Sequence, residues 1–103
     1  MIQKTLLNPR RVRQINGSFA FIEHRFRGWM KNLRPEELLL YFFLVLAADE
    51  QGLSYYRPET IGSRLQLSPD QYRRALNGLI TRDLVAFQEP LFQVLSLPER
   101  RPA

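Results

Sequence analysis

The spacing of apolar residues changes several times along the 103-residue chain, and each change marks an element. The clearest period lies in "SPDQYRRALNGLIT". There Tyr72, Leu76, Leu79 and Ile80 fall at i, i+4, i+7 and i+8, which predicts a helix with one inward face and Ala75 at its edge. Ser68 suits the N-cap of that helix and Pro69 its first position. Its opposite face holds Asp70, Arg74, Asn77, Gly78 and Thr81, with Gln71 and Arg73 on the flanks. Just upstream, Pro58 opens a shorter helix to Leu65 with Ile61 and Leu65 apolar at i and i+4, followed by the turn "QLS" with Leu67 as a buried plug.

A different pattern fills 35–49. Pro35 suits the first turn of a helix, Glu36 and Glu37 suit its positive end, and Gln51-Gly52 marks a stop after about Asp49. The middle, "LLLYFFLVLAA", is apolar on every side. A surface helix shows a single apolar stripe, so this one needs cover on more than one face, from the rest of the chain or from a second subunit. "GLSYYR" alternates as a short strand, with Tyr55 and Tyr56 on opposite sides, one towards the core and one exposed. "LVAFQ" and "LFQVLSL" read as two further strands joined through Glu89-Pro90.

The first 34 residues are of another kind. Residues 1–17 carry two turn signals, Asn8-Pro9 and Asn16-Gly17, around the basic "RRVR", and form an arm. "SFAFIEHRFRGWMKNL" (18–34 with Arg34) brings Phe19, Phe21, Phe26 and Trp29, too many aromatics to stay in water. It is expected to begin extended, continue as a short helix and pack on the body. The domain is therefore 18–98 with 18–34 as an aromatic lead-in, and 99–103 is a tail.

Charge sharpens this picture. The net +5 divides into +7 over residues 1–34, −4 over 35–52, +3 over 53–82 and −1 over 83–103. Thirteen of the fifteen basic residues are arginine, the side chain that pairs bidentately with guanine and with phosphate. Two separate basic regions favour a polyanionic partner more than the total does.

Catalytic chemistry is not expected. The chain has no cysteine, one histidine without a partner set, and no glycine-rich phosphate loop. Glu36 and Glu37 point about 100° apart on a helix and are ordinary dipole partners. Neither a cofactor, a metal nor a small-molecule ligand is implied. The apolar run Leu38–Ala48 is far short of the roughly 20 residues that cross a bilayer, and the N-terminus lacks a signal-peptide core. A cytoplasmic protein with no membrane partner is expected.

The order helix, strand, helix, turn, helix, β-hairpin resembles a winged helix-turn-helix. The segment "GLSYYRPETIGSRLQLSPDQYRRALNGLITRDLVAF" looks like the helix-turn-helix of bacterial transcription regulators and of replication-initiation proteins of this fold. The resemblance covers residues 35–97. It implies an α+β, mostly helical fold: a three-helix core with a β-hairpin wing, here preceded by the basic and aromatic extension. It also implies that the helix Ser68–Arg82 enters the major groove of double-stranded DNA. Carried over by position, Gln71, Arg73, Arg74 and Asn77 face the groove, while Tyr56, Arg57 and Arg64 approach the backbone. Arg10, Arg11 and Arg13 of the arm would add phosphate contacts. The implied role is sequence-specific DNA binding by a small prokaryotic or mobile-element transcription regulator, with a homodimer as its working form.

Three features depart from that pattern. Asp83 stands where the family usually has glycine before the wing, but aspartate tolerates left-handed geometry. Asp70 puts a negative charge on the leading edge of the recognition helix. The wing is short, tipped by Glu89 and Pro90, and has no basic residue from Asp83 to Pro98. The competing expectation is a non-catalytic winged-helix module for protein assembly, for example in a replication complex, since fold does not fix function.

Overall fold

The computed structural model describes residues 4–13 and 18–99. A single 3-10 turn at Pro9–Arg11 lies in the arm, and another at His24–Phe26 leads into the short helix α1, Arg27–Met30. There follow α2 (Pro35–Ala47), β1 (Leu53–Tyr55), α3 (Pro58–Leu65), α4 (Pro69–Thr81), β2 (Val85–Gln88) and β3 (Leu91–Val94). The three strands form one antiparallel sheet in the order β1-β3-β2. Ser54 lies opposite Phe92 on one side of β3, and Phe87 lies opposite Phe92 on the other. Among the described residues the fold is α+β, with four α-helices and a three-stranded sheet.

Local chemistry explains most element ends. Prolines open α2, α3 and α4, where the missing N–H costs no helical hydrogen bond. The expected end of α2 near Asp49 is two residues late. The helix stops at Ala47, and Asp49 turns the chain, its Oδ1 accepting from the backbone N–H groups of Gln51 and Leu53. Gly52 sits at φ +86 with its Cα against the Val94 carbonyl, so a side chain there would strike the sheet. Gln66 ends α3 in the left-handed region at φ 58, and Asp83 takes φ 61 before β2, as the sequence allowed.

The core gathers Trp29, Leu40, Leu44, Ile61, Leu79, Leu84, Val85 and Phe92, all essentially without solvent contact. Trp29 and Phe26 bring the lead-in into this core, Phe26 stacking on Tyr41 at 4.6 Å between ring centroids. Arg25 ties the lead-in to the other end of the chain: its guanidinium donates to the Pro98 and Leu97 carbonyls and lies 5.8 Å from the Trp29 ring. Phe19 and Phe21 differ from expectation, remaining 65% and 76% exposed. The extended stretch before His24 places them beyond the packed part of the lead-in. Leu67, expected as a buried plug, is half-buried.

Three assignments on α4 are corrected. Ile80 was expected inside and is 39% exposed, whereas Ala75, expected at the edge, has no exposure. Gly78, expected on the outer face, lies against α2: a Cβ there would fall on the Glu37 carboxylate. The buried face is thus rotated towards Ala75 and Gly78, the smallest residues of the helix, because they let α4 approach α2 closely.

That close approach encloses a charge. Glu37 is 4% exposed. Its Oε1 accepts from the Arg34 backbone N–H at 2.7 Å and its Oε2 from the Arg82 guanidinium at 2.9 Å. Arg82 also donates to the carbonyls of Asn32 and Gly78, so the guanidinium joins α2, α4 and the turn after α1. Glu37 is more than the dipole partner expected of it.

Candidate nucleic-acid interface

The outward face of α4 is built on a reciprocal N-cap. The Ser68 hydroxyl accepts from the Gln71 N–H at 3.1 Å, and Gln71 Oε1 accepts from the Ser68 N–H at 2.8 Å. Gln71 is half-buried; its amide oxygen accepts the Ser68 N–H, and its NH₂ group makes no hydrogen bond among the described residues. Arg73, Arg74, Asn77, Asp70 and Thr81 are all exposed along one side of the helix. Arg73 donates to Asp70 at 2.7 Å, a pair in open solvent that holds the guanidinium weakly. Arg74 has no ion pair or side-chain hydrogen bond among the described residues.

The residues expected near the backbone are less uniform. Arg57 is the exposed N-cap of α3. Arg64 lies with its guanidinium 5.8 Å from the Tyr56 ring centroid, and Tyr56 is half-buried with its ring edge-on to Phe43 at 5.0 Å. Tyr55 is the exposed member of the tyrosine pair. Arg10, Arg11 and Arg13 are exposed, and the Asn8 side chain caps their turn by accepting from the Arg10 N–H at 3.1 Å. They make no hydrogen bond or ion pair with the body among the described residues, so the arm and α4 are not joined into one site. The Asn16-Gly17 turn and residues 100–103 of the tail lie outside the described residues.

Two clefts border this region. One of about 230 Å³ lies between the end of β1 and the β2–β3 turn, and Arg57, Glu89 and Pro90 share its wall with Tyr55 and Phe87. The other, about 380 Å³, opens between the starts of α3 and α4, lined by Glu59, Ser63, Tyr72 and Arg73 among others. The Tyr72 hydroxyl is buried there without a hydrogen-bond partner among the described residues. Burial, and then the nearby Glu59 carboxylate, push its pKa above the usual tyrosine value. Periodicity marked Tyr72 as core but gave no sign that its hydroxyl would lack a partner. The Glu37–Arg82 pair had only one faint signal, a glycine in the middle of a helix.

Among the described residues no group of three or more metal-ligating side chains comes together, and no helix is long and apolar enough to cross a membrane. The site is an arginine-bearing helix face on an α+β domain. Comparison with protein-family models, curated proteins and solved structures gives no match to this chain.

Proposed function

We propose that this protein binds double-stranded DNA as a winged helix-turn-helix, with α2, α3 and α4 as the three-helix core, β2 and β3 as the wing, and α4 in the major groove. The observation that carries the reading is the outward face of α4, where Arg73, Arg74 and Asn77 stand together in solvent on a rigidly capped helix. Arginine and asparagine are the side chains that read guanine and adenine edges bidentately. Arg57 at the start of α3 suits a phosphate contact, and the arm arginines suit further ones. In this reading the protein is a small transcription regulator.

Asp70 fits the same groove in one of two ways. It orients Arg73 through their 2.7 Å pair, or it accepts from a cytosine amino group. The wing favours a second reading, assembly with another protein, because its tip presents Glu89 and Pro90 and no base. Selection of bound sequences from a random duplex pool separates the two. A recovered motif, with Arg74→Ala weakening its binding by about 1–3 kcal/mol and relaxing one base position, is the expected result. Recovery of no motif would remove the DNA reading and leave assembly.

A further inference from the structure

The cleft between the end of β1 and the β2–β3 turn is built from two segments far apart in sequence, 55–58 and 87–90, so no local pattern marked it. Its volume of about 230 Å³ lies below the roughly 300 Å³ at which pockets for drug-sized ligands begin, which suits one small molecule. Apart from two charged residues its walls are rings, Tyr55, Tyr56 and Phe87 with Pro58 and Pro90. Side chains of this kind have few rotatable bonds, so little entropy is lost when a ligand settles on them. Two of the rings are already held. Tyr56 lies edge-on to Phe43 at 5.0 Å with the Arg64 guanidinium 5.8 Å from its centroid, and Phe87 packs on the buried Phe92 at 4.6 Å between centroids. Tyr55, 68% exposed, is the open wall.

The two charged wall residues, Arg57 and Glu89, have opposite sign. Both are exposed, and neither side chain makes an ion pair or hydrogen bond, with the other or with a third group, among the described residues. Opposite charges that share a cleft without meeting leave room for a molecule that carries both complements. An anion alone would face Glu89, and a cation alone would face Arg57. The next charges outward, Glu59 beside Pro58 and Arg64 beside Tyr56, are again one of each sign, so the cleft itself selects neither a polyanion nor a simple cation. A zwitterion with an aromatic body satisfies every wall.

We propose that this cleft binds a free aromatic amino acid, its ring among the aromatic walls, its carboxylate on the Arg57 guanidinium and its ammonium on the Glu89 carboxylate. The guanidinium fork matches a carboxylate bidentately, and offset or edge-on ring contacts favour an aromatic side chain over an aliphatic one of similar size. An aromatic residue inside a protein carries neither charge at its Cα, which sets the free amino acid apart from a docked partner chain. Because both charged groups stand in solvent, each contributes modestly and binding is weak. The site does not rest on DNA binding. Where the protein does bind DNA, Arg57 also serves a phosphate, and the amino acid competes with the duplex for it.

The test titrates phenylalanine into the full chain, free of DNA, and follows amide shifts by NMR. Saturable binding is expected, with shifts centred on 55–58 and 87–90. Phenethylamine, which lacks the carboxylate, and hydrocinnamate, which lacks the ammonium, each bind about 3–10-fold more weakly. Arg57→Gln weakens phenylalanine by a similar factor and does not weaken phenethylamine. Glu89→Gln weakens phenylalanine likewise and does not weaken hydrocinnamate. Tyr55→Ala weakens all three. Arg57, Glu89 and Tyr55 are exposed and outside the core, so these variants keep the fold, which an unchanged circular-dichroism spectrum verifies. No saturable binding of phenylalanine, tyrosine or tryptophan up to their solubility limits would overturn the proposal. So would analogues that bind as tightly as phenylalanine, charge variants that fail to tell the two analogues apart, or shifts centred on α4 or the lead-in.

Discussion

At the scale of single residues, the Glu37–Arg82–Gly78 contact sets the largest expected effects. Removing Arg82 leaves a buried carboxylate with only the Arg34 N–H to hold it. Arg82→Met should cost about 2–3 kcal/mol, below the 3–5 of a fully enclosed pair because the guanidinium is 29% exposed. Gly78→Ala reverses the usual rule. In an open helix it would stabilise by about 1 kcal/mol; here the methyl meets the Glu37 carboxylate, and a loss of about 1–3 kcal/mol in urea unfolding is expected. Tyr72 gives a pH-dependent counterpart. Its folded pKa is raised above the unfolded value, so the stability tied to its neutral form is complete below about pH 10 and is lost as pH rises through the folded pKa. Tyr72→Phe removes a hydroxyl that has no hydrogen-bond partner among the described residues, so it should be as stable as the parent or more so at pH 7. It should also lose less in thermal melts above pH 10. An equal alkaline loss in both proteins would assign the effect to Tyr41, whose pKa is raised by burial and then by Glu23.

At the scale of elements, α4 shows how far a one-dimensional period reaches. The spacing of Tyr72, Leu76 and Leu79 located the helix, and Ser68-Pro69 located its start, because capping is decided within a few residues. The buried face of α4 is turned from Ile80 towards Ala75 and Gly78, since hydrophobicity ranks Ile80 above both while close packing on α2 requires the reverse. The outward arginines do not depend on that turn. Arg73, Arg74 and Asn77 stay on the outer side under either rotation. In α2 the absence of a polar face signalled that the helix needed extra cover. It could not say which side the fold would leave bare, and the structure leaves Leu39, Phe42 and Leu46.

Over the whole molecule, charge is divided between an arm and a helix that share no hydrogen bond or ion pair among the described residues, so under the proposed function their contributions to DNA affinity should separate. Residues 4–13 are exposed throughout, and none of them belongs to the core. If Lys4, Arg10, Arg11 and Arg13 seat on phosphates, deleting residues 1–15 should lower the slope of log affinity against log salt by up to about 3–4 per subunit. Base preference should stay as it was, because Arg73 and Arg74 remain. A salt slope unchanged by the deletion, measured by fluorescence anisotropy over a salt series, would strike the four charges from the interface.

Read alone, the sequence located the ends of α2, α3, α4, β1 and β2 to within about two residues, whereas β3 stops at Val94 and not Leu97, and it showed that Asp83 tolerates a left-handed turn and that α2 lacks a solvent face. These follow from capping, backbone sterics and periodicity, which act over a few residues. Long-range packing alone sets the pairing of β1 with β3, the entry of Phe26 and Trp29 but not Phe19 and Phe21 into the core, and the burial of Glu37 against Arg82. Each of those depends on groups far apart in sequence, Glu37 and Arg82 by 45 residues, meeting at a distance that packing alone sets.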